Sequence, residues 1–561
     1  MSSSPRSANE SPVLLARSRA GALYAEAGGV RIHSAYDPRR EARRFIETQM
    51  AGPPPSTWVV LGEALGYLTE AIQEHASRAR VVRVCYHSRL AGLGDATEWT
   101  PASSEAIESF FDRALNELEI EGLKIIEWAP SAAAFPREAA RAKAALAQVV
   151  REMSGSVTTT RAFGLRWARN CLANFLSLNS IADARVPLAS ALPRKVAVVA
   201  ASGPSLSEAL PLLTALRERL LLISLPSSLA ALTAMDLRPD LVVATDGGSW
   251  ASLHFAQIAR LPPGRALPVA MPLSAARGAW HARGPVLILT QASLFERELL
   301  GASGIAALPI ASHGTVAAAA VALSLLLSRG PVVLAGLDLC FRDILEHVRP
   351  HTFDPLWERE QSRLAPAYGA QFQRSIGRTT RRSDAASSEV RTSNAFRAYA
   401  GWFSGFANDD RRLFRLNPSP VELSGLTPID GGDFRRLVGE STAAEGASGI
   451  ALPSGSAPPL AERSNVANAV LRRLEERLAA GRRTLLDVRR SGEKSEGELS
   501  VDPELGEILY ELDTAGLFEA KRAARLDGPD AARRRLLASV DTTEINIARM
   551  RSLYLPHVSR R

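Results

Sequence analysis

The sequence predicts an α/β protein built on a central doubly wound, Rossmann-like parallel sheet, preceded by a smaller α/β domain and followed by a helical tail. Three observations carry this expectation. Uninterrupted apolar runs ("VAVVAA", "LLLISL", "LVVA", "VLILT", "VVLA") recur between helical patterns in the middle of the chain. Runs without polar alternation are what parallel strands covered on both faces look like. Two further strand-helix units stand near the N-terminus, and the last hundred or so residues carry Leu at helical spacing with no strand signal.

Length and composition set the frame. A chain of 561 residues exceeds what one hydrophobic core supports and predicts two or three domains. With 46% hydrophobic and 22% charged residues, its profile is that of a globular protein rather than a disordered or membrane-embedded one. The net charge of +8 invites a nucleic-acid reading. Only five of the 67 basic residues are Lys, however, and basic residues alternate with acidic ones almost throughout, so nucleic acid is not an expected partner. Cys85, Cys171 and Cys340 are odd in number, far apart and set in apolar runs, which predicts neither disulfides nor a zinc site. No segment has the length and apolarity of a signal peptide or a membrane span, and the expected location is the cytoplasm.

Along the chain, residues 1–25 read as a polar, flexible arm. Residues 26–190 form the expected N-terminal α/β domain: a strand at Trp58–Leu61, a glycine turn at Gly62 and Gly66, a strand in "RVVRVCYHS", and long helices over 136–180. The proline-marked "ARVPLASALPRK" places a boundary near 190. Residues 191–435 alternate strand and helix, 436–460 read as a Gly/Ser/Ala/Pro-rich linker, and 461–561 as a helical region.

In an open parallel sheet, ligands meet the carboxyl ends of the strands. Three such ends and one helix opening stand out. "VAVVAA" runs into Ser202-Gly203-Pro204-Ser205, "LVVA" into Thr245-Asp246-Gly247-Gly248, and "VVLA" into Gly336-Leu337-Asp338, while Ser312-His313-Gly314-Thr315 opens the helix "VAAAAVALSLLLS". Glycine lets backbone N–H groups approach an anion, hydroxyls add donors, and a helix start favours negative charge. The alternative for the first turn is a plain helix entry capped by Ser205. Asp246 and Asp338 either project to a ribose hydroxyl, metal or amine, or simply close turns. His347 and His351 lie in "DILEHVRPHTFDP", from which a general base can reach the crevice, and His313 can donate to phosphate. No HExxH, GxSxG or GxxxxGK[ST] occurs, which removes the metalloprotease, serine-hydrolase and P-loop readings. The N-terminal "LGEALGY" lacks GxGxxG spacing, so a cofactor is not expected there. Arg374, Arg378, Arg381, Arg382, Arg391 and Arg397 form either a solvated loop or an anion clamp.

Several patches, in order, resemble one family: "VAVVAASGPSL", "SSLAALTAMDLRPDLVVATDGG", "ASHGTVAAAAVALSLLLSRGPVVLAGLDLCF", the His-bearing loop and "RTSNAFRAYAGWF". They are similar to proteins related to the motility accessory factor and to the archaeal 6-hydroxymethylpterin diphosphokinase. "RIHSAYDPRREARRFI", "VVLGEALGYL" and "RWARNCLANF" resemble the N-terminal domain of the long, flagellin-modifying members. The resemblance implies a sialyltransferase-like central domain and a cytoplasmic enzyme moving a nonulosonic, sialic-acid-like sugar from CMP to Ser or Thr of flagellin or another surface protein. By it, Ser202, Gly203, Pro204, Ser205 and Asp246 would bind the nucleotide, and Ser312, His313, Gly314 and Thr315 its phosphate. Asp338, His347 and His351 would form the catalytic set, with His347 or His351 as base, no cofactor required and metal ligands left unassigned. Two departures stand beside it: Asp246 is followed by Gly-Gly, and the spacing from Asp338 leaves the choice of histidine open. The alternatives are a diphosphokinase holding Mg²⁺-ATP on Asp246 and Asp338, and a non-catalytic flagellar interaction protein.

Overall fold

The computed structural model describes residues 12–555 except 51, 53–54, 78, 92–96, 186–194, 260, 262–264, 280, 313, 378–379, 384–388, 405–411, 441–451 and 488–500. The chain forms two compact units, one of residues 1–164 with 475–546 and the other of 165–474 with 547–561.

In the first unit, β1 (Val13–Arg17), β2 (Leu23–Ala27) and β3 (Val30–Arg31) make an antiparallel meander. Within the region read as a flexible arm, residues 13–17 and 23–25 are therefore strand, with Val13 and Ala25 buried, while 1–11 lie outside the described residues. The parallel sheet that follows has β4 (Thr57–Leu61), β5 (Arg80–Val84), β6 (Glu98–Trp99) and β7 (Leu123–Glu127) in the order β6-β5-β4-β7. Trp58, Val59 and Val60 are fully buried, as apolar runs without alternation require.

The expected helical tail is present as the helices Leu460–Asp487, Pro503–Leu512, Thr514–Leu526 and Pro529–Tyr554. Residues 475–546 pack into the first unit, where Lys521 Nζ donates to the Leu118 carbonyl at 2.8 Å and Arg522 pairs with Glu121 at 3.3 Å. The unit boundary also falls at Gly164–Leu165, inside the helix Pro136–Ser177, rather than at the proline-marked segment near 190. Proline and glycine mark where the backbone turns. Which core a helix face joins is decided by side-chain packing, so one unbroken helix can serve two cores.

In the second unit an 11-stranded sheet comprises β8 (Ser180–Ala182), β9 (Val196–Ala200), β10 (Leu220–Ser224), β11 (Leu241–Val243), β12 (Val269–Pro272), β13 (Val286–Thr290), β14 (Leu308–Pro309) and β15 (Val332–Ala335), with three later strands. β16 (Thr380–Ser383) and β17 (Glu389–Thr392) make a separate antiparallel hairpin. β18 (Leu413–Leu416), β19 (Thr427–Ile429) and β20 (Ser454–Ser456) complete the large sheet. Its order is β19-β18-β15-β9-β10-β11-β12-β13-β8-β20, with β14 beside β13. All neighbours are parallel except β20, which runs antiparallel to β8. The span read as a linker is thus partly regular: the helix Gly431–Glu440 occupies its start and β20 its end.

Successive strand residues point to opposite faces, so both faces of β9 need an apolar cover. Ala197, Val199 and Ala201 meet the helix Val316–Leu327, while Val196, Val198 and Ala200 meet the helix Leu206–Leu216. The small side chains of Ala317–Ala320 are all buried, which lets that helix lie close to the sheet. Each buried Leu or Val contributes about 1.5–3 kcal/mol. The consequence for function is topological. β9 has β10 on one side and β15 on the other, and the flanking helices lie on opposite faces, so the carboxyl ends of β9 and β15 frame the switch-point crevice.

Candidate functional site at the switch point

The two loops framing this crevice bind each other. The Gly203 N–H donates to the Gly336 carbonyl at 2.7 Å, and the Ser205 N–H donates to Asp338 Oδ2 at 2.7 Å. A Cβ on Gly203 would lie 2.5 Å from Asp338 Oδ2 and 2.6 Å from the Gly336 oxygen. The glycine is therefore required by close approach, but the anion approached is a carboxylate of the protein itself. Asp338 is 4% exposed and sits at the start of the helix Leu206–Leu216, where the helix dipole favours negative charge. Ser205, the cap in the alternative reading of this turn, is in αR conformation, makes no side-chain cap bond and is itself buried. The helix entry read from the sequence is real, and its cap comes from 133 residues away.

The Gly336–Phe341 loop is held from several directions. Buried Arg415 donates from Nε to the Leu337 carbonyl at 2.9 Å and from an Nη to the Val421 carbonyl at 2.6 Å. Ser419 Oγ donates to the Asp338 carbonyl at 2.7 Å, and Thr392 Oγ1 to the Leu339 carbonyl at 3.0 Å. Burial pushes the Arg415 guanidinium down to about 10, still protonated at neutral pH. This scaffold keeps Leu339 at φ 53°, a left-handed conformation that costs a non-glycine residue about 1 kcal/mol or more.

The His-bearing loop closes on the same edge. The Val348 N–H donates to the Ser202 carbonyl at 2.8 Å, and Ser202 Oγ shares a 3.2 Å hydrogen bond with His347 Nδ1. The His347 ring stacks on His351 with centroids 4.7 Å apart. His351 is 3% exposed and enclosed by His254, Phe353 and Trp357. Its backbone N–H donates to Asp354 Oδ2 at 2.7 Å, its Nδ1 receives the Phe353 N–H at 3.4 Å, and its buried Nε2 has no hydrogen-bond partner among the described residues. His254, whose Nδ1 lies 3.1 Å from Thr352 Oγ1, completes the cluster. Burial, reinforced by His347, holds His351 down at about 3 and His254 at about 4, and burial also lowers His347. All three rings are neutral at pH 7.

Of the other predicted residues, Asp246 is exposed at the end of β11, where Oδ1 accepts the Gly248 N–H at 2.7 Å. Burial raises the Tyr399 hydroxyl, and the charges of Asp246 and Glu346 add to the rise. Gly247 is pressed against Trp167. Ser312 and Gly314 are exposed and Thr315 half-buried at the start of Val316–Leu327, a helix with no side-chain cap. This helix lies between β14 and β15 in the chain, so its start also belongs to the carboxyl edge. His313 lies outside the described residues, as do the side chains of Arg378, Arg381 and Arg382. Arg374 pairs with Glu346 at 3.5 Å and lies over the Trp357 ring. Among the described residues no three His, Cys, Asp or Glu side chains are gathered as metal ligands are. Sequence reasoning missed His254, Tyr399, Glu346 and Arg349. His254 in "SWASLHFAQIA" follows no motif, and its one signal is position, a few residues after the Asp246 turn.

The smaller sheet has a switch point too, since β4 lies between β5 and β7. It is filled. A Cβ on Gly62 would lie 2.9 Å from both Tyr86 Cε2 and Ser131 Cβ, and the fully buried Glu63 spends its oxygens on the Ala64 N–H and on Thr69.

Residues 169–343, which hold the strands on both sides of the larger sheet's switch point, match the family model described as 6-hydroxymethylpterin diphosphokinase MptE-like. The resemblance to motility-accessory-factor proteins is upheld by the fold. The structure of the MAf glycosyltransferase from Magnetospirillum magneticum AMB-1 superposes with a TM-score of 0.58 at 12% identity, covering 98% of this chain and 94% of that one. A curated relative from Treponema pallidum (strain Nichols), described as an uncharacterized protein, is 24% identical over 345 residues, 61% of this chain and 71% of its own. Among the described residues no helix is long and apolar enough to cross a membrane.

Proposed function

We propose that this protein is a glycosyltransferase that moves a CMP-activated nonulosonic sugar to a Ser or Thr hydroxyl of a surface protein such as flagellin. The observation that carries this is the His347–Ser202 hydrogen bond at the switch point of the sheet. If Ser202 Oγ accepts the proton of Nδ1, Nε2 of His347 is left as the basic atom. Its lowered proton affinity keeps it unprotonated at neutral pH. His347 is partly accessible whereas His351 is buried, which favours His347 as base and His351 as the plate against which it stacks.

In the reaction, the acceptor oxygen attacks the anomeric carbon, its proton passes to His347, and the bond from that carbon to the phosphate oxygen breaks with its electron pair leaving on CMP. The amide of Ser205 is already held by Asp338. The departing phosphate is therefore assigned to the uncapped helix start at Ser312, Gly314 and Thr315, where orphan N–H groups stabilise negative charge. The MAf glycosyltransferase fold supports this reading. The diphosphokinase reading, which needs Asp246 and Asp338 on one Mg²⁺, is not favoured: Asp338 is buried and its Oδ2 is taken by the Ser205 amide.

Thermal unfolding with CMP, CDP, ATP and Mg²⁺ tests it. Stabilisation by CMP without metal is expected, and stabilisation only by Mg²⁺-ATP would reverse the choice. His347→Ala should lower CMP release by about 10²–10⁴-fold, the usual contribution of a general base. In the wild type the acid limb of the pH–rate profile should lie below about 6.5, the ordinary histidine value.

A further inference from the structure

Next to the His-bearing loop, the helix Gly369–Gly377 is packed inside out. Its Gln371 is 7% exposed and Ser375 fully buried, while Phe372 and Ile376 are 47% and 45% exposed. Tyr368, one turn upstream and joined by the Phe372 N–H to Tyr368 carbonyl bond at 2.9 Å, is 45% exposed. An amphipathic helix on a sheet normally turns its apolar stripe inward. Here the inward face even leaves Gln371 Oε1 buried without a hydrogen-bond partner among the described residues, a cost with no return inside the fold. The outward line Tyr368, Phe372, Ile376 has i, i+4, i+8 spacing and runs about 12 Å along the helix.

We infer that this stripe is the docking platform for the acceptor polypeptide, which lies on it through apolar residues flanking the modified hydroxyl. The inference rests on the glycosyltransferase reading. Continuity with the site identifies the occupant. The Arg349 guanidinium stacks over the Tyr368 ring and bonds its hydroxyl, and it also pairs with Asp354, the residue that receives the His351 N–H. From the other end of the helix, Arg374 pairs with Glu346, the neighbour of His347. The stripe is thus tied at Tyr368 to the residues that hold His351 and, through Arg374 of the same helix, to the neighbour of His347. The area fits a substrate better than a second copy. Three half-exposed side chains offer roughly 300 Å², whereas a stable dimer needs about 800 Å² per partner. A small contact suits a polypeptide that must leave after each transfer.

The test uses the full chain, CMP-N-acetylneuraminate, and 15-residue peptides with one central serine flanked either by leucines or by lysines. Two rates are followed: CMP release to water, and sugar transfer to peptide, in which serine oxygen replaces CMP at the anomeric carbon. Leucine-flanked peptides are expected to be the better acceptors. The double variant Phe372→Ser, Ile376→Ser should lower their kcat/KM at least about tenfold, leaving CMP release and melting temperature unchanged. Equal use of both peptide sets, an unaffected double variant, or no peptide transfer despite CMP release would overturn the inference while leaving the transferase reading intact. A wild-type dimer that the double variant dissolves would give the stripe to a second copy and overturn it as well. Absence of CMP release from the wild type would instead sink the transferase reading and the inference with it.

Discussion

Asp338 carries the clearest lesson at the scale of one residue. A Gly-Pro-Ser turn entering a helix invites a phosphate, yet a carboxylate from the neighbouring strand already takes the Ser205 N–H at 2.7 Å. The spacing of "GLDL" told of a polar residue at a strand end and nothing of its direction, because the partner is 133 residues away. Removing the carboxylate leaves a buried amide without its acceptor, which costs about 1–3 kcal/mol. Asp338→Ala should therefore lower the urea midpoint of unfolding, and Asp338→Asn, which retains an accepting oxygen, should lower it less. Equal loss in both variants would mean that charge at the helix start, rather than the hydrogen bond, is what matters.

Among the elements, the Gly336–Phe341 loop decides whether the site exists. Gly336 has φ +74°, and a Cβ there would stand 2.7 Å from Leu206 Cβ and 2.8 Å from the Ala201 oxygen. Gly336→Ala meets both left-handed strain and a backbone clash, so a loss of about 2–4 kcal/mol is expected in chemical denaturation. CMP binding should weaken in parallel, because the displaced loop no longer fixes Ser205 and, through it, the Ser202 turn that holds His347. The strand runs and the Gly turn were legible from sequence, since burial on both faces leaves an uninterrupted apolar pattern. The helix Gly369–Gly377 was not, because its pattern fits a helix of either orientation and only packing revealed the apolar face outside.

For the molecule as a whole, the histidine cluster couples stability to pH. His254 and His351 are held at about 4 and about 3 in the folded protein, below the unfolded value of about 6.5. Between those values the unfolded chain binds more protons, so stability is full above pH 6.5 and falls as the pH drops toward 4. The slope contributed is at most about 1.4 kcal/mol per pH unit for each histidine. Melting temperatures measured from pH 7.5 to 4.5 should decline on the acid side, and His254→Phe, which keeps an aromatic ring against His351 and Phe353, should flatten the decline. An unchanged slope in that variant would assign the effect to other groups.

By itself the sequence determined the α/β class, the parallel strands of the central sheet, the turns at their carboxyl ends, and the loop that holds His347 and His351. These are local consequences of burial period and of backbone geometry, and each is written within a few residues. Only the tertiary structure decided that Asp338 caps the helix after β9, that His254 joins the cluster, that the crevice of the smaller sheet is filled by Tyr86 and Ser131, and that residues 475–546 complete the first unit. Those facts are contacts between segments far apart in the chain, and a contact is chosen by the shape and polarity of both partners together, which neither segment specifies alone.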